Sequence, residues 1–263
     1  MSTDSGALAR ALACEYSPAP AREMLTALTA IEREVAAVLR PGLDHQVAHV
    51  RLEWWRAEAE RCRAGEAVHP ATRALLAATP ARRADFTGLT DTAVWDLACA
   101  TFATRAELTA YCTRWAAGMF GPLLATGELG AAIREIELSA GLAADAHRGR
   151  IRVPLDELAA IGVEATALGR PPWPETLSRL VRERQHGLRE ALAGARGALA
   201  AMPAPVQRSL RGLVVWAQLA RRLSHRIEQT LPHPVRGRAW SAMADAWSSW
   251  RTARAVLRGV RSS

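Results

Sequence analysis

Apolar residues return every three or four positions along most of the chain, the spacing of one face of an α-helix. Residues 22–40 show it at Met24, Leu25, Leu28, Ile31, Val35 and Val38, and Pro41-Gly42 ends the run. Residues 44–64 resume it with Val47, Val50, Trp54 and Trp55, ending before Gly65. Further helices are predicted over 70–78, 90–101 and 104–126, with Thr104 and Glu107 at capping-box spacing. Another runs over 128–147 and stops at Gly149, and Pro154 starts a short element. GRPPWP at 169–174 breaks the pattern, and its six residues suit a connection between bundle helices. Helices over 175–201, 204–230 and 236–258 complete the chain, and residues 1–18 are expected to be a flexible lead-in. Alternating Val, Ile and Tyr runs are absent, so a sheet is not expected.

Composition fits that picture. With 263 residues, 49% hydrophobic and 23% charged, the chain is globular and long enough to bury a core without staples. The net charge is +8, carried on Arg alone, since the sequence has no Lys and no Asn. Arginine is a good phosphate ligand, but a GC-rich genome also explains this usage. Cys14, Cys62, Cys99 and Cys112 form no C-x-x-C pair, and free buried thiols in a reducing cytoplasm are expected. The N-terminal residues lack a signal-peptide pattern, and no apolar stretch is long enough to span a bilayer. GxSxG, Walker and strand-borne GxGxxG motifs are missing, which removes hydrolase, NTPase and dinucleotide readings. No nucleic-acid-binding motif is present, so nucleic acid is not an expected partner.

Three segments point to a family. They are RLEWWR at 51–56, YCTRWAAGMFG at 111–121 and LGAAIREIELSAGLAADAHRGRIRVP at 129–154. In order and spacing, together with WDL at 95–97, they resemble the squalene/phytoene synthases, the head-to-head prenyl transferases, over residues 20–255. The family pattern for the last segment is LGxAxQLxNxLRDxxEDxxxGRxYLP. The resemblance implies an all-α fold, a single isoprenoid-synthase-like domain of about ten helices around a central cavity. It also implies two aspartate-rich motifs on facing helices that hold Mg²⁺ against a substrate diphosphate.

This sequence departs from both motifs. In IEREVAAVLR, Arg33 matches the family Arg, but the aspartate positions fall on Ala36, Ala37 and Arg40. In the second motif the family Gln becomes Arg134 and the Asn becomes Glu137. Its Arg, leading Asp and Glu become Ala140, Gly141 and Ala144, and Asp145 is the one acid retained. Gly149, Arg150 and Pro154 still match. A lone carboxylate holds Mg²⁺ poorly, because the ion gives up its waters reluctantly. The expected protein has therefore lost the metal-dependent transfer, has no cofactor, and serves as a prenyl-diphosphate or lipid binder or an assembly protein. The alternative is an active transferase that condenses prenyl diphosphates with Mg²⁺ and an altered acidic set.

The candidate cavity residues are Arg33, Arg40, Arg51, Tyr111, Arg134, Glu137, Asp145 and Arg150, expected to hold a diphosphate directly through bidentate guanidinium contacts. Of the Trp54-Trp55 doublet at most one ring faces any one cavity, because adjacent helical residues diverge by about 100°. His45 and His49 are read as a solvated face, and Gly118 as a close-packing position. The last helix carries Trp240, Met243, Trp247 and Trp250 on one face, with Arg236, Arg238, Arg251, Arg254, Arg258 and Arg261 around them. That pattern suits a bundle core, a membrane surface or a partner groove. The expected location is cytoplasmic, peripheral to the inner membrane face where that helix docks.

Overall fold

A computed structural model describes residues 4–80, 83–121, 123, 127–235 and 239–259. Helix α1 spans Asp4–Tyr16, α2 Ala19–Ala37, α3 His45–Ala64 and α4 Pro70–Ala78. Next come α5 Thr87–Leu97, α6 Arg105–Phe120, α7 Gly127–Ala140, α8 Leu142–Ala146 and α9 Leu155–Ala160. The chain ends with α10 Glu175–Ala200, α11 Ala204–Ser209, α12 Arg211–Thr230 and α13 Ala239–Gly259. Among the described residues there is no strand.

Local chemistry sets many of the ends. Asp44 accepts from the backbone N–H groups of Gln46 and Val47 to start α3. Gly65 closes α3 at φ +84°, where a side chain would be strained. Thr104 accepts from the Glu107 N–H at the start of α6, while the Glu107 carboxylate reaches back to the Ala103 N–H at 2.7 Å. The capping box is thus present, shifted outward by one residue.

Several boundaries differ from the sequence expectation. Residues 4–16, expected to be a flexible lead-in, form α1, whose Ala9 and Ala13 are buried. The run expected over 128–147 breaks at Gly141 into α7 and α8. The run expected over 204–230 turns at Leu210, where φ −94° and ψ 5° leave the helical region. The four cysteines are free, but Cys99 is exposed and Cys14 half-buried; Cys62 and Cys112 are buried.

Helix α6 packs against α5 and α7, and α12 packs against α1, α7, α10 and α13. Several positions are packed closely enough to demand glycine, among them Gly118 and Gly212. A Cβ on Gly118 would sit 2.8 Å from the Leu89 nitrogen of α5. A Cβ on Gly212 would sit 2.3 Å from the Ala13 carbonyl oxygen of α1. The main core is apolar, with Trp115, Trp216, Phe86 and Phe120 fully buried, and a second cluster gathers Phe102, Leu108, Tyr111, Cys112 and Leu138. Of the tryptophan doublet, Trp55 is 6% exposed and Trp54 41%.

Candidate functional site

Helices α1, α2, α7 and α12 line a partly open cavity of about 870 Å³, a size suited to a small-molecule ligand. Its wall is mostly Gly, Ala, Thr and Leu, with five charged groups: Arg10, Glu32, Arg33, Arg134 and Glu137. The first two turns of α1 supply Gly6, Ala7, Arg10 and Ala11 to this wall.

Arg10 crosses the cavity between the two helices. Its Nε and Nη2 donate to Glu32 of α2 at 2.6 and 2.7 Å. Its Nη1 and Nη2 donate to Glu137 of α7, both at 3.1 Å, and Nη1 also donates to the Gly6 carbonyl at 3.0 Å. All five guanidinium hydrogens are thereby engaged. Each glutamate takes one further bond from an indole, Trp115 Nε1 to Glu32 and Trp216 Nε1 to Glu137, each 3.2 Å. The guanidinium lies 4.9 Å from the Trp216 ring centre and 5.8 Å from that of Trp115.

Electrostatics reinforce this arrangement. Burial works against a charged Arg10, but Glu137 and Glu32 outweigh it and raise its pKa above the ordinary value. Burial likewise pushes the Glu32 carboxyl up, yet Arg10 and Arg134 hold it below the usual carboxylate range. Arg10 and Glu32 are therefore both charged throughout the neutral range.

Arg134 is less well satisfied. Its Nη1 lies 3.6 Å from Glu137 and its Nη2 donates a long 3.4 Å bond to the Tyr111 hydroxyl. Its buried Nε has no hydrogen-bond partner among the described residues. Trp115 lies under it, 4.8 Å from the guanidinium carbon. Beyond Arg134 a second set of ion pairs continues. The Tyr111 hydroxyl donates to Asp96 at 3.0 Å, and Arg152 bridges Asp96 at 2.7 Å and Asp145 at 2.9 Å. Burial is the main cause that raises the Tyr111 pKa, so this hydroxyl stays protonated.

Of the residues singled out in the sequence, Tyr111, Arg134, Glu137 and Asp145 lie on this one polar chain. Arg150 joins its edge, donating from Nε to the Asp96 carbonyl at 3.1 Å. Arg33 stands exposed at the cavity wall, 3.8 Å from Glu34. Arg40 and Arg51 lie elsewhere, in a surface recess of about 540 Å³ beside Trp54 and His69. Sequence reasoning missed Arg10, Asp96 and Arg152. The signal for Arg10 was the Leu8, Ala9, Leu12 and Ala13 periodicity around it, helical in a segment set aside as a lead-in.

The donor set is a poor match to Mg²⁺. Positions 36 and 37 carry methyl groups, and the facing carboxylates of Glu32 and Glu137 are already committed to a guanidinium. Two cations about 4 Å apart repel by about 4 kcal/mol per unit of charge at an effective dielectric near 20, so a divalent ion beside Arg10 would meet a steep penalty. Among the described residues no group of three or more His, Cys, Asp and Glu side chains is placed to hold a metal.

Comparison with known proteins agrees with the architecture. The squalene/phytoene synthase family profile matches residues 6–244. A crystal structure of a dehydrosqualene synthase in complex with ligand superposes with a TM-score of 0.79 at 15% identity, covering 97% of this chain and 92% of that one. The squalene synthase HpnC from Alicyclobacillus acidocaldarius gives a TM-score of 0.67 at 19% identity, covering 86% and 92%. A search of curated protein sequences gives no match. Taken with the all-helical bundle around its cavity, the profile match over nearly the whole length makes this chain a member of the squalene/phytoene synthase family.

Proposed function

We propose that the protein binds a prenyl diphosphate or similar anionic lipid in its central cavity without carrying out metal-dependent condensation. The observation that carries this reading is Arg10: a guanidinium built into the chain, with all five donors engaged, is ion-paired to both Glu32 and Glu137 between α2 and α7. The apolar wall receives the hydrocarbon tail. Arg134, with its unpartnered Nε, receives the anionic head, and Arg33 adds a second positive charge at the wall.

A competing reading, an active transferase, draws on the likeness to a dehydrosqualene synthase along almost the full chain. In that case Glu32 and Glu137 would have to release Arg10 to meet a metal. Two assays separate the readings. Titration with farnesyl diphosphate in EDTA is expected to show saturable binding that weakens at least tenfold in Arg134→Gln, since a charged hydrogen bond contributes about 1.5–3 kcal/mol. Incubation with the same diphosphate and Mg²⁺ is expected to release no pyrophosphate above the uncatalysed rate. Turnover with Mg²⁺ would overturn the proposal in favour of the transferase.

A further inference from the structure

On the opposite side of α12 from α1 and α2 lies a second feature, a cleft between α10, α12 and α13. It is made of two adjoining recesses of about 520 Å³ each, which share Arg196, Val214, Ala255 and Val256. Four arginines line it, Arg196, Arg221, Arg222 and Arg251, and no Asp or Glu does. Arg222 is compensated from outside the cleft by Asp245 at 2.7 Å. Among the described residues the other three have no carboxylate partner. Arg196 donates only to the neutral Gln218 side chain, at 2.8 Å. Burial and the neighbouring Arg221 charge both lower the Arg196 pKa, so this half-buried cation is held at an electrostatic disadvantage that a bound anion would relieve.

The cleft runs into an exposed aromatic platform. Trp247 forms part of its wall and stacks on Trp250, ring centres 4.8 Å apart. Trp247 is 59% exposed and Met243 67%, and Arg254 lies over the outer Trp250 ring at 4.8 Å. The bundle-core reading of this stripe therefore fails at Met243 and Trp247. The side chains of Trp240, Arg236, Arg238 and Arg261, named with them from the sequence, lie outside the described residues. No helix among the described residues is long and apolar enough to cross a membrane.

We propose that this face docks on a bilayer and that the cleft takes the phosphate of an anionic phospholipid, with Trp247 and Trp250 at headgroup depth. The chemistry favours lipid over an acidic peptide. The cleft joins unpaired guanidinium groups, which suit phosphate, to an apolar floor of Leu199, Val214 and Val256, which suits the first methylenes of an acyl chain. Paired tryptophans belong at the interface between headgroups and chains. This proposal stands apart from the central cavity and survives if that cavity binds nothing.

The test is flotation of the full chain with vesicles of phosphatidylcholine alone and of phosphatidylcholine containing phosphatidylglycerol. Binding is expected only with phosphatidylglycerol and is expected to weaken steeply with salt. Arg221→Gln and Arg251→Gln alter exposed residues and are expected to weaken it about fivefold each, the effect of one basic charge at an anionic surface. Arg179→Gln is the control, an exposed arginine about 25 Å along α10 from Arg196 at 1.5 Å per residue. It removes the same net charge and is expected to leave binding nearly intact. Trp247→Ser is expected to weaken binding while keeping its dependence on phosphatidylglycerol. Equal flotation with neutral vesicles, no flotation with either, or an equal loss in Arg179→Gln would overturn the proposal. So would tight binding of soluble glycerol phosphate or of polyglutamate in preference to vesicles.

Discussion

The guanidinium of Arg10 meets the carboxylate of Glu32 at two points, 2.6 and 2.7 Å, and so ties α1 to α2 across the cavity. Both side chains are mostly buried, with 13% and 16% of their surface exposed. Removing one partner strands the other charge. Arg10→Met leaves Glu32 and Glu137 facing each other with Arg134 alone to offset their charge and is expected to destabilise the fold by roughly 3–5 kcal/mol in urea unfolding. Adding Glu32→Gln and Glu137→Gln should restore part of that loss. The single variant should also gain a rise in thermal midpoint with Mg²⁺ that the parent lacks. A loss below about 1 kcal/mol would contradict the bridge.

Acid should loosen the same contact. The Glu32 pKa is lowered in the folded chain, because Arg10 and Arg134 outweigh the effect of burial. A depressed carboxylate adds stability that is complete above its unfolded pKa, near 4.3, and is lost as pH falls through the folded value. The thermal midpoint is expected to hold steady down to about pH 5.5 and to drop below about pH 4.5, with a shallower drop in Glu32→Gln. Equal acid sensitivity in both proteins would remove Glu32 as a source.

Gly212 controls how closely α1 approaches α12. A Cβ there would lie 1.9 Å from the Ser17 hydroxyl and 2.3 Å from the Ala13 carbonyl. Gly212→Ala is expected to cost roughly 1–3 kcal/mol and to weaken cavity binding, because α1 carries Arg10. Gly187→Ala on α10, where nothing lies within 4 Å of the added carbon, is expected to be neutral or stabilising by up to about 1 kcal/mol. Similar outcomes for both would show that the approach is loose.

The thiols report on the cavity independently. Cys99 is exposed and should alkylate first. Burial pushes Cys62 up to about 11 and Cys112 up to about 12, so both should stay unlabelled until unfolding. Cys14 lines the cavity, and burial raises its pKa, so it should label slowly. Farnesyl diphosphate is expected to slow Cys14 further without touching the Cys99 rate. Equal protection of both by the ligand, or of neither, would place it elsewhere.

Much of the bundle was legible in the sequence because helix punctuation is local. Asp44, Gly65, Thr104 and Pro154 act on their own neighbours, and the structure puts helix ends at each. The breaks at Gly141 and Leu210 were not legible, since apolar spacing continues through both while the backbone leaves the helix. At the site, the replacement of motif acids by Ala36, Ala37, Arg40, Gly141 and Ala144 could be read position by position. What replaced them could not. Arg10 lies 127 residues from Glu137, and the packing of α1 on α12 and α2 brings the two together. Arg40 and Arg51 show the converse, matched to a motif or adjacent to one yet facing a different recess.

The most direct measurement is a calorimetric titration of farnesyl diphosphate into the full chain, once in EDTA and once in Mg²⁺. One saturable site of the same affinity is expected in both, weakened in Arg134→Gln. Binding that appears only with Mg²⁺ would contradict it, because the charge between α2 and α7 would then have to come from a metal rather than from Arg10.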